Sequence, residues 1–304
     1  MSADTKNLSA SVHARLLNLA KERKRPFQEI LQYYAMERFL YRLSKSEYQD
    51  RFVLKGALMF TAWGIPSRRP TRDIDLRGYV NNALDQVVLI VQEICKQYVE
   101  PDGMTFDHEN IRAEIIQEVA TYQGVRVRFI GYLGRAKAHM QLDIGFEDEI
   151  SPEAIDLEYP VILDASRPVL KAYPPETVIA EKLQAIVILG EINSRMKDFY
   201  DIWLLSHQYS FDGQRLSEAI QKTFERRETD IPHEAPTGLT KKFAQEKQDR
   251  WMNFLRNYFD DDYASLEDFA RVIEKIQRFL FPVMEMLDED KYLESSWHPS
   301  SGWE

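Results

Sequence analysis

Apolar residues along this chain recur first with the period of a helix, then with that of a strand, and then with that of a helix again. From Ser11 to about Ser46, Leu16, Leu19, Ile30, Leu31, Tyr34, Phe39 and Leu40 fall at spacings of three and four, which predicts amphipathic helix broken at Pro26. From Arg51 the period shortens to two. The segments RFVLKG, RDIDLRGYV, AEIIQEVATY, VRVRFIGYLG and AHMQLDIGF read as strands, with one helix, roughly Asn82 to Tyr98, between the second and third. After SRPVLKAYPP the helical period returns over Thr177 to about Leu189, Asn193 to about Ser206 and Gly213 to about Arg227. In a long final helix Leu266, Phe269, Ile273, Ile276, Leu280, Val283 and Leu287 form an apolar seam, expected to close a helical lobe or, alternatively, a coiled-coil dimer.

These patterns predict an α+β fold, a mixed sheet flanked by helices. They place an N-terminal helical segment over 1–50, an α+β lobe over 51–165 and a C-terminal helical bundle lobe over 166–304. The closing stretch SSWHPSSGWE is too polar to pack by itself and is either frayed or docked through Trp297 and Trp303.

Composition narrows the function. A net charge of −10 and a pI near 5.3 argue against binding nucleic acid through a broad basic surface, although a local basic groove stays open. The run Lys21 to Arg25 reads as a solvated helix end, with RNA contact as the alternative. The single cysteine, Cys95, excludes an internal disulfide and sits in a helical pattern as a packing residue. No signal-like start and no run long enough to cross a bilayer are present, so a cytoplasmic protein without a membrane partner is expected.

The chemistry is concentrated in RRPTRDIDLRG. Strand alternation puts Asp73 and Asp75 on one face, where two like charges repel unless a cation holds them, and a divalent metal does this with oxygen ligands. For an isolated pair of this kind at a strand end, simple solvated charge is the favoured reading, because so short a pattern often arises by chance. Three further features bear on the choice. FVLKGALMF puts Lys55, Gly56 and Ala57 in a small-residue turn ahead of a helix, where backbone N–H groups favour phosphate. In RAKAHMQLDIGF the polar face ends in Asp143, which can join the pair as a third carboxylate, and the neighbouring VRVRF adds Arg126 and Arg128 to the same kind of face. His139, without a second ligand-spaced histidine or cysteine, reads as a hydrogen-bonded or phosphate-contacting side chain. In PPETVIAEKLQAIVILG, Lys182 falls within the apolar stripe of Ile179, Leu183 and Ile186. Asp198 or Asp201 can orient it or Arg195, against a plain surface pair of Lys197 with Asp201.

Taken together, FVLKGALMFTAWG, RRPTRDIDLRG, MQLDIGF, YPPETVIAEKLQAIVILGEINSRMKDFYDIW and IPHEAPTGLTKKFA resemble the AbiEii/AbiGii-type nucleotidyltransferase toxins of abortive-infection and toxin–antitoxin systems. The likeness is strong over Arg51 to Trp203 and looser on the flanks. It implies a polymerase-β-like nucleotidyltransferase fold. Asp73 and Asp75 match the metal-binding pair, Lys182 and Asp198 the essential lysine and aspartate of the helical lobe, and Gly56 the glycine of the phosphate-side turn. Many relatives carry a second glycine or a serine after that glycine. Ala57 and Leu58 stand here instead, leaving backbone N–H groups to meet phosphate.

The expected reaction moves a nucleoside monophosphate from a nucleoside triphosphate to an acceptor hydroxyl with two Mg²⁺ ions, about 3.5–4 Å apart in such sites. The metal ligands are Asp73, Asp75 and Asp143, with Lys55, Gly56, Ala57, Arg128 and Lys182 on the nucleotide. The resemblance implies an RNA acceptor such as tRNA, or a protein side chain, and a cognate antitoxin as partner. A metal-dependent sugar-nucleotide glycosyltransferase and a catalytically inactive, partner-binding relative are the alternatives.

Overall fold

Strand alternation in the middle of the chain resolves into one mixed sheet in the structure, a computed structural model that describes residues 3–65, 71–119, 122–146, 150–259 and 263–304. Arg68, Arg69 and Pro70 of the aspartate motif lie outside the described residues, as do Ala120 and Thr121. The chain divides into two compact units. One holds Met1–Glu147 and Ile155–Ala172, the other Asp148–Ala154 and Tyr173–Glu304.

In the first unit, α1 (Ala3–Glu22) and α2 (Phe27–Lys45) precede the sheet strands β1 (Phe52–Lys55) and β2 (Asp73–Gly78), with α3 (Leu58–Ala62) between them. Then come α4 (Leu84–Lys96), β3 (Met104–Phe106), β4 (Arg112–Val119), β5 (Tyr122–Leu133), β6 (Ala136–Gly145), β7 (Ile155–Glu158) and β8 (Val169–Ala172). The order across the sheet is β3-β5-β6-β2-β1-β8-β7, with β4 also paired to β5. Strand β2 runs parallel to β6 and antiparallel to β1. One face, carrying Leu54, Ile74, Leu76, Val127, Leu142 and Ile144, forms a core with Leu31, Tyr34, Phe39 and Leu40 of α2 and Val87, Val91 and Ile94 of α4.

Helices α1 and α2 therefore contribute to this core, through Leu16, Leu31 and Phe39 among others. Helix α2 is buried nearly all round, so its charged residues need partners elsewhere in the unit. Arg42 forks onto Asp102 at 2.7 and 3.1 Å. Glu37 pairs with Arg38 at 3.1 Å and accepts the Ile162 N–H at 2.7 Å, while Arg38 donates to the Ser166 carbonyl. Periodicity identified the helices, but these partners, 60 to 128 residues away, set what they pack on.

The second unit contains α5 (Pro175–Leu189), α6 (Met196–Gln208), β9 (Phe211–Asp212), α7 (Gly213–Arg226), α8 (Lys241–Tyr258), α9 (Phe269–Asp288), β10 (Ser296–His298) and β11 (Gly302–Trp303). The seam of α9 is buried inside the unit against α6, α7 and α8, which is the lobe-closing role expected for it. Trp251 of α8 stacks on Phe269 at 4.6 Å and donates to the Leu266 carbonyl at 2.6 Å. Helix α8 was not legible beforehand. After Phe243 and Ala244 its next buried apolar residue is Trp251, leaving a polar run without visible period. The C-terminal stretch docks: Trp297 donates to the Ser206 carbonyl and Trp303 to that of Phe279, and the two indoles, 5.5 Å apart, both pack on the Phe279 ring.

Two outcomes test this packing. Burial pushes the Glu37 carboxyl up to about 7 against the opposing pull of Arg38 and the Ile162 N–H. A raised carboxyl favours folding while protonated, so its contribution is full below about pH 4.5 and is lost as pH rises through about 7. The stability of the wild type relative to Glu37→Gln, measured by denaturant melts, should fall between about pH 5 and about pH 8; a constant difference contradicts the burial argument. Truncation ahead of Leu266 should leave a chain without fixed near-ultraviolet circular dichroism, because it strips the apolar faces of α6, α7 and α8. A soluble truncated chain with native dichroism would show that α9 is dispensable.

Candidate active site

Cross-strand register decides which charged side chains meet. Lys55 lies opposite Asp75, Asp75 opposite Asp143, Asp143 opposite Arg126, and Arg126 opposite Glu114. Register partners share a face, so β1, β2, β6, β5 and β4 contribute one row that reads Lys55, Asp75, Asp143, Arg126, Glu114. The adjacent row holds Asp73, Gln141, Arg128 and Arg112. Both rows lie on the face opposite the core. Lys55 and Asp143 are nonetheless buried, at 7% and 8% exposure.

Gly56 follows β1 with φ of +73°, a conformation L side chains rarely adopt. A Cβ at this position would lie 1.9 Å from Oδ2 of Asp75. The glycine is therefore required twice over, by its backbone angle and by the close approach of the Asp75 carboxylate. Helix α3 is only five residues long, and Ala57 caps it without a side-chain hydrogen bond, so little helix dipole is available there. The glycine turn against Asp75 is the stronger feature.

Asp143 is gripped by Arg126. Nε of the guanidinium donates to Oδ1 at 2.8 Å and Nη2 to Oδ2 at 2.6 Å, the bidentate fork in which Arg–carboxylate pairs are strongest, and Gln141 donates to Oδ2 at 3.3 Å. The Asp143 hydrogen bonds, working against partial burial and aided by the charges of Asp143, Asp73 and Glu114, hold the Arg126 guanidinium above its ordinary pKa. Arg128, expected on the nucleotide, is half exposed and pairs with Glu114 at 2.6 Å and Gln141 at 3.2 Å. The His139 side chain is exposed, and its carbonyl accepts a hydrogen bond from Gln32.

The donor set fits a hard divalent cation. Asp73 and Asp75 are carboxylates two residues apart on one face, and Mg²⁺ is typically held by one or two protein carboxylates together with phosphate oxygens and water. The expected third ligand is arranged differently. Asp143 is in register with Asp75, but both its oxygens face Arg126, and among the described residues no group of three or more His, Cys, Asp or Glu side chains is disposed to hold a metal ion.

The second unit carries its own charged cluster. Ile179, Leu183 and Ile186 of α5 are fully buried, as their spacing predicts, and the Lys182 side chain beside them is 14% exposed. Its Nζ lies 3.1 Å from Asp198 Oδ1 and 2.8 Å from Asp201 Oδ2. Arg195 Nε approaches Asp198 Oδ2 at 2.6 Å, an ion-pair contact off the hydrogen-bond direction. Burial pushes the Asp198 carboxyl up, but Lys182, Arg195 and Lys197 together outweigh it and hold the group below the ordinary carboxylate value. Asp201, whose alternative was a surface pair with Lys197, is instead 1% exposed and bound to Lys182. Its spacing of three from Asp198 along α6 was the available signal that both face one partner.

Two solved structures resemble the chain at 14% identity. One is JHP933 from Helicobacter pylori, with a TM-score of 0.48, covering 86% of this chain and 94% of that one. The other is an H. pylori protein described provisionally as a nucleotidyltransferase, with a TM-score of 0.47 and coverages of 88% and 99%. No curated protein matches the chain in sequence. The sequence model for the nucleotidyl transferase AbiEii toxin of Type IV toxin–antitoxin systems matches residues 38–275, a span that includes the aspartate strand, the Gly56 turn, Asp143 and the Lys182 cluster. The chain is a nucleotidyltransferase and belongs to the AbiEii toxin family.

Proposed function

We propose that the chain transfers a nucleoside monophosphate from a nucleoside triphosphate to an acceptor hydroxyl, in an RNA such as tRNA or on a protein side chain, as the toxin of a toxin–antitoxin pair. The observation that carries the reading is the Asp73–Asp75 pair on one strand face, with Gly56 backed against Asp75 and Lys55 opposite it in register. Asp73 and Asp75 would hold Mg²⁺. When bound, the metal polarises the triphosphate and lowers the pKa of the attacking hydroxyl. The missing Cβ of Gly56 lets backbone come up to the same point, and Lys55 offsets the negative charge of Asp75. Lys182, whose ammonium is fixed by Asp198 and Asp201, takes the part of the family's essential lysine in this reading. The overall charge of −10 suits an antitoxin with a basic contact surface.

Incubation with nucleoside triphosphates labelled at the α-phosphate, Mg²⁺ and either total RNA or total protein should give one labelled macromolecular class, and chelation should prevent it. Asp73→Asn and Asp75→Asn should each reduce labelling to background while the thermal melt stays within a few degrees of wild type. Full labelling by either variant would refute the metal site.

The Lys182 cluster makes a different demand. Lys182→Met leaves Asp198 and Asp201 buried with Arg195 as their remaining cation among these residues, and breaking a buried pair in this way costs about 3–5 kcal/mol. The double variant Lys182→Met/Asp201→Asn removes one charge of each sign and should recover most of that stability. Labelling should stay low in both. If the double variant regains wild-type labelling along with its stability, Lys182 acts through the fold and not on the nucleotide.

A further inference from the structure

We propose that Arg126 is a positioning residue that withholds Asp143 from the metal site, so that metal is bound tightly only together with nucleotide. The inference rests on the nucleotidyl-transfer reading above and concerns how its metal site is filled.

Asp143 is in register with Asp75 on the adjacent parallel strand, about 4.8 Å away across the sheet, which is where a third carboxylate would complete a site with Asp73 and Asp75. Its oxygens are already used. The guanidinium spans both of them at 2.8 and 2.6 Å, and Gln141 adds a third donor at 3.3 Å. Arg126 supplies to Asp143 the charge compensation that a metal would otherwise give, so the fork and a metal compete for the same carboxylate.

The two partners are unequally fixed. The Asp143 side chain is 12% exposed, between Leu142 and Ile144 in the core, whereas that of Arg126 is 29% exposed. Arg126 also has other anions within electrostatic reach on this face, Asp73 and Glu114. It is the partner able to turn away. A triphosphate offers it several anionic oxygens in place of one carboxylate, in the fork geometry that suits phosphate as well. Once Arg126 turns to phosphate, Asp143 becomes available to the metal. Metal and nucleotide then bind with positive coupling, each strengthening the other by the same factor.

The test is Mn²⁺ binding to the purified full chain, followed by the paramagnetic resonance of free Mn²⁺, with and without a non-hydrolysable triphosphate analogue. Arg126→Gln should tighten binding of Mn²⁺ alone by about tenfold, the lower end of what altering an outer partner of a ligand does, and should shrink the coupling to the analogue. Asp143→Asn should leave Mn²⁺ binding by itself nearly unchanged in the wild type, and should erase the gain in the Arg126→Gln background. If Arg126→Gln does not fold, Arg126→Lys carries the test, since one ammonium cannot span both oxygens and should give a smaller tightening of the same sign. Unchanged or weaker Mn²⁺ binding in the folded Arg126 variant, or loss of wild-type Mn²⁺ binding on Asp143→Asn, overturns the proposal. Asp73→Asn separates the two levels: if it binds Mn²⁺ as the wild type does, the metal site itself is refuted. If it loses Mn²⁺ while the Arg126 variants change nothing, only the role of Arg126 falls.

Discussion

Carboxylates on neighbouring strands of one sheet face must be compensated, and the first unit is organised around that requirement. Asp75 and Asp143 stand side by side in register, an arrangement that repulsion alone would disfavour. Lys55 on one side and Arg126 on the other supply the opposite charge, so the row across the sheet is bracketed by cations at the positions next to the two aspartates. Gly56 follows from the same crowding. The turn after β1 passes so close to the Asp75 carboxylate that any Cβ would overlap it.

Much of this was legible from alternation. The strand pattern of RDIDLRG and MQLDIGF correctly separated the core residues Ile74, Leu76, Leu142 and Ile144 from Asp73, Asp75 and Asp143 on the opposite face. Alternation says nothing about register, and register is what distinguishes Arg126 from Arg128. Both lie on the charged face, but Arg126 falls opposite Asp143 and Arg128 opposite Gln141, so the arginine first assigned to the nucleotide pairs with Glu114 while its neighbour holds the aspartate. Short elements were illegible for a related reason. Strands β3, β7 and β8 are three or four residues long, too few to show a period of two.

In the second unit, position within an apolar stripe marked Lys182 as unusual, and the structure gives the physical reason it is tolerated. Two carboxylates from α6 meet its ammonium, and Arg195 meets one of them from outside, leaving two cations against two anions in a largely buried cluster. Such clusters seldom add net stability compared with apolar packing, because desolvation offsets the attraction. What they do is fix where the ammonium sits. Spacing alone left Asp201 open between orienting Lys182 or Arg195 and an ordinary surface pair with Lys197 four residues earlier, and its 2.8 Å contact with the Lys182 ammonium decides for the first.

Charge arithmetic on the sheet face links this architecture to the way a nucleotide can be taken up. Among the side chains of the two rows, Lys55, Arg126, Arg128 and Arg112 are cationic, while Asp73, Asp75, Asp143 and Glu114 are anionic, so four positive charges face four negative ones. A triphosphate arriving alone meets a face whose own anions balance its cations and gains little from it. A divalent cation arriving alone meets carboxylates of which Asp143 is already held by Arg126 and Asp75 already adjoins Lys55. Neither ligand has a strong site by itself, but the two together neutralise one another and give Arg126 a second anionic partner. A sheet face with nearly balanced internal charge therefore favours metal and nucleotide as a pair over either one separately, and that preference follows from strand register before any loop or acceptor is considered.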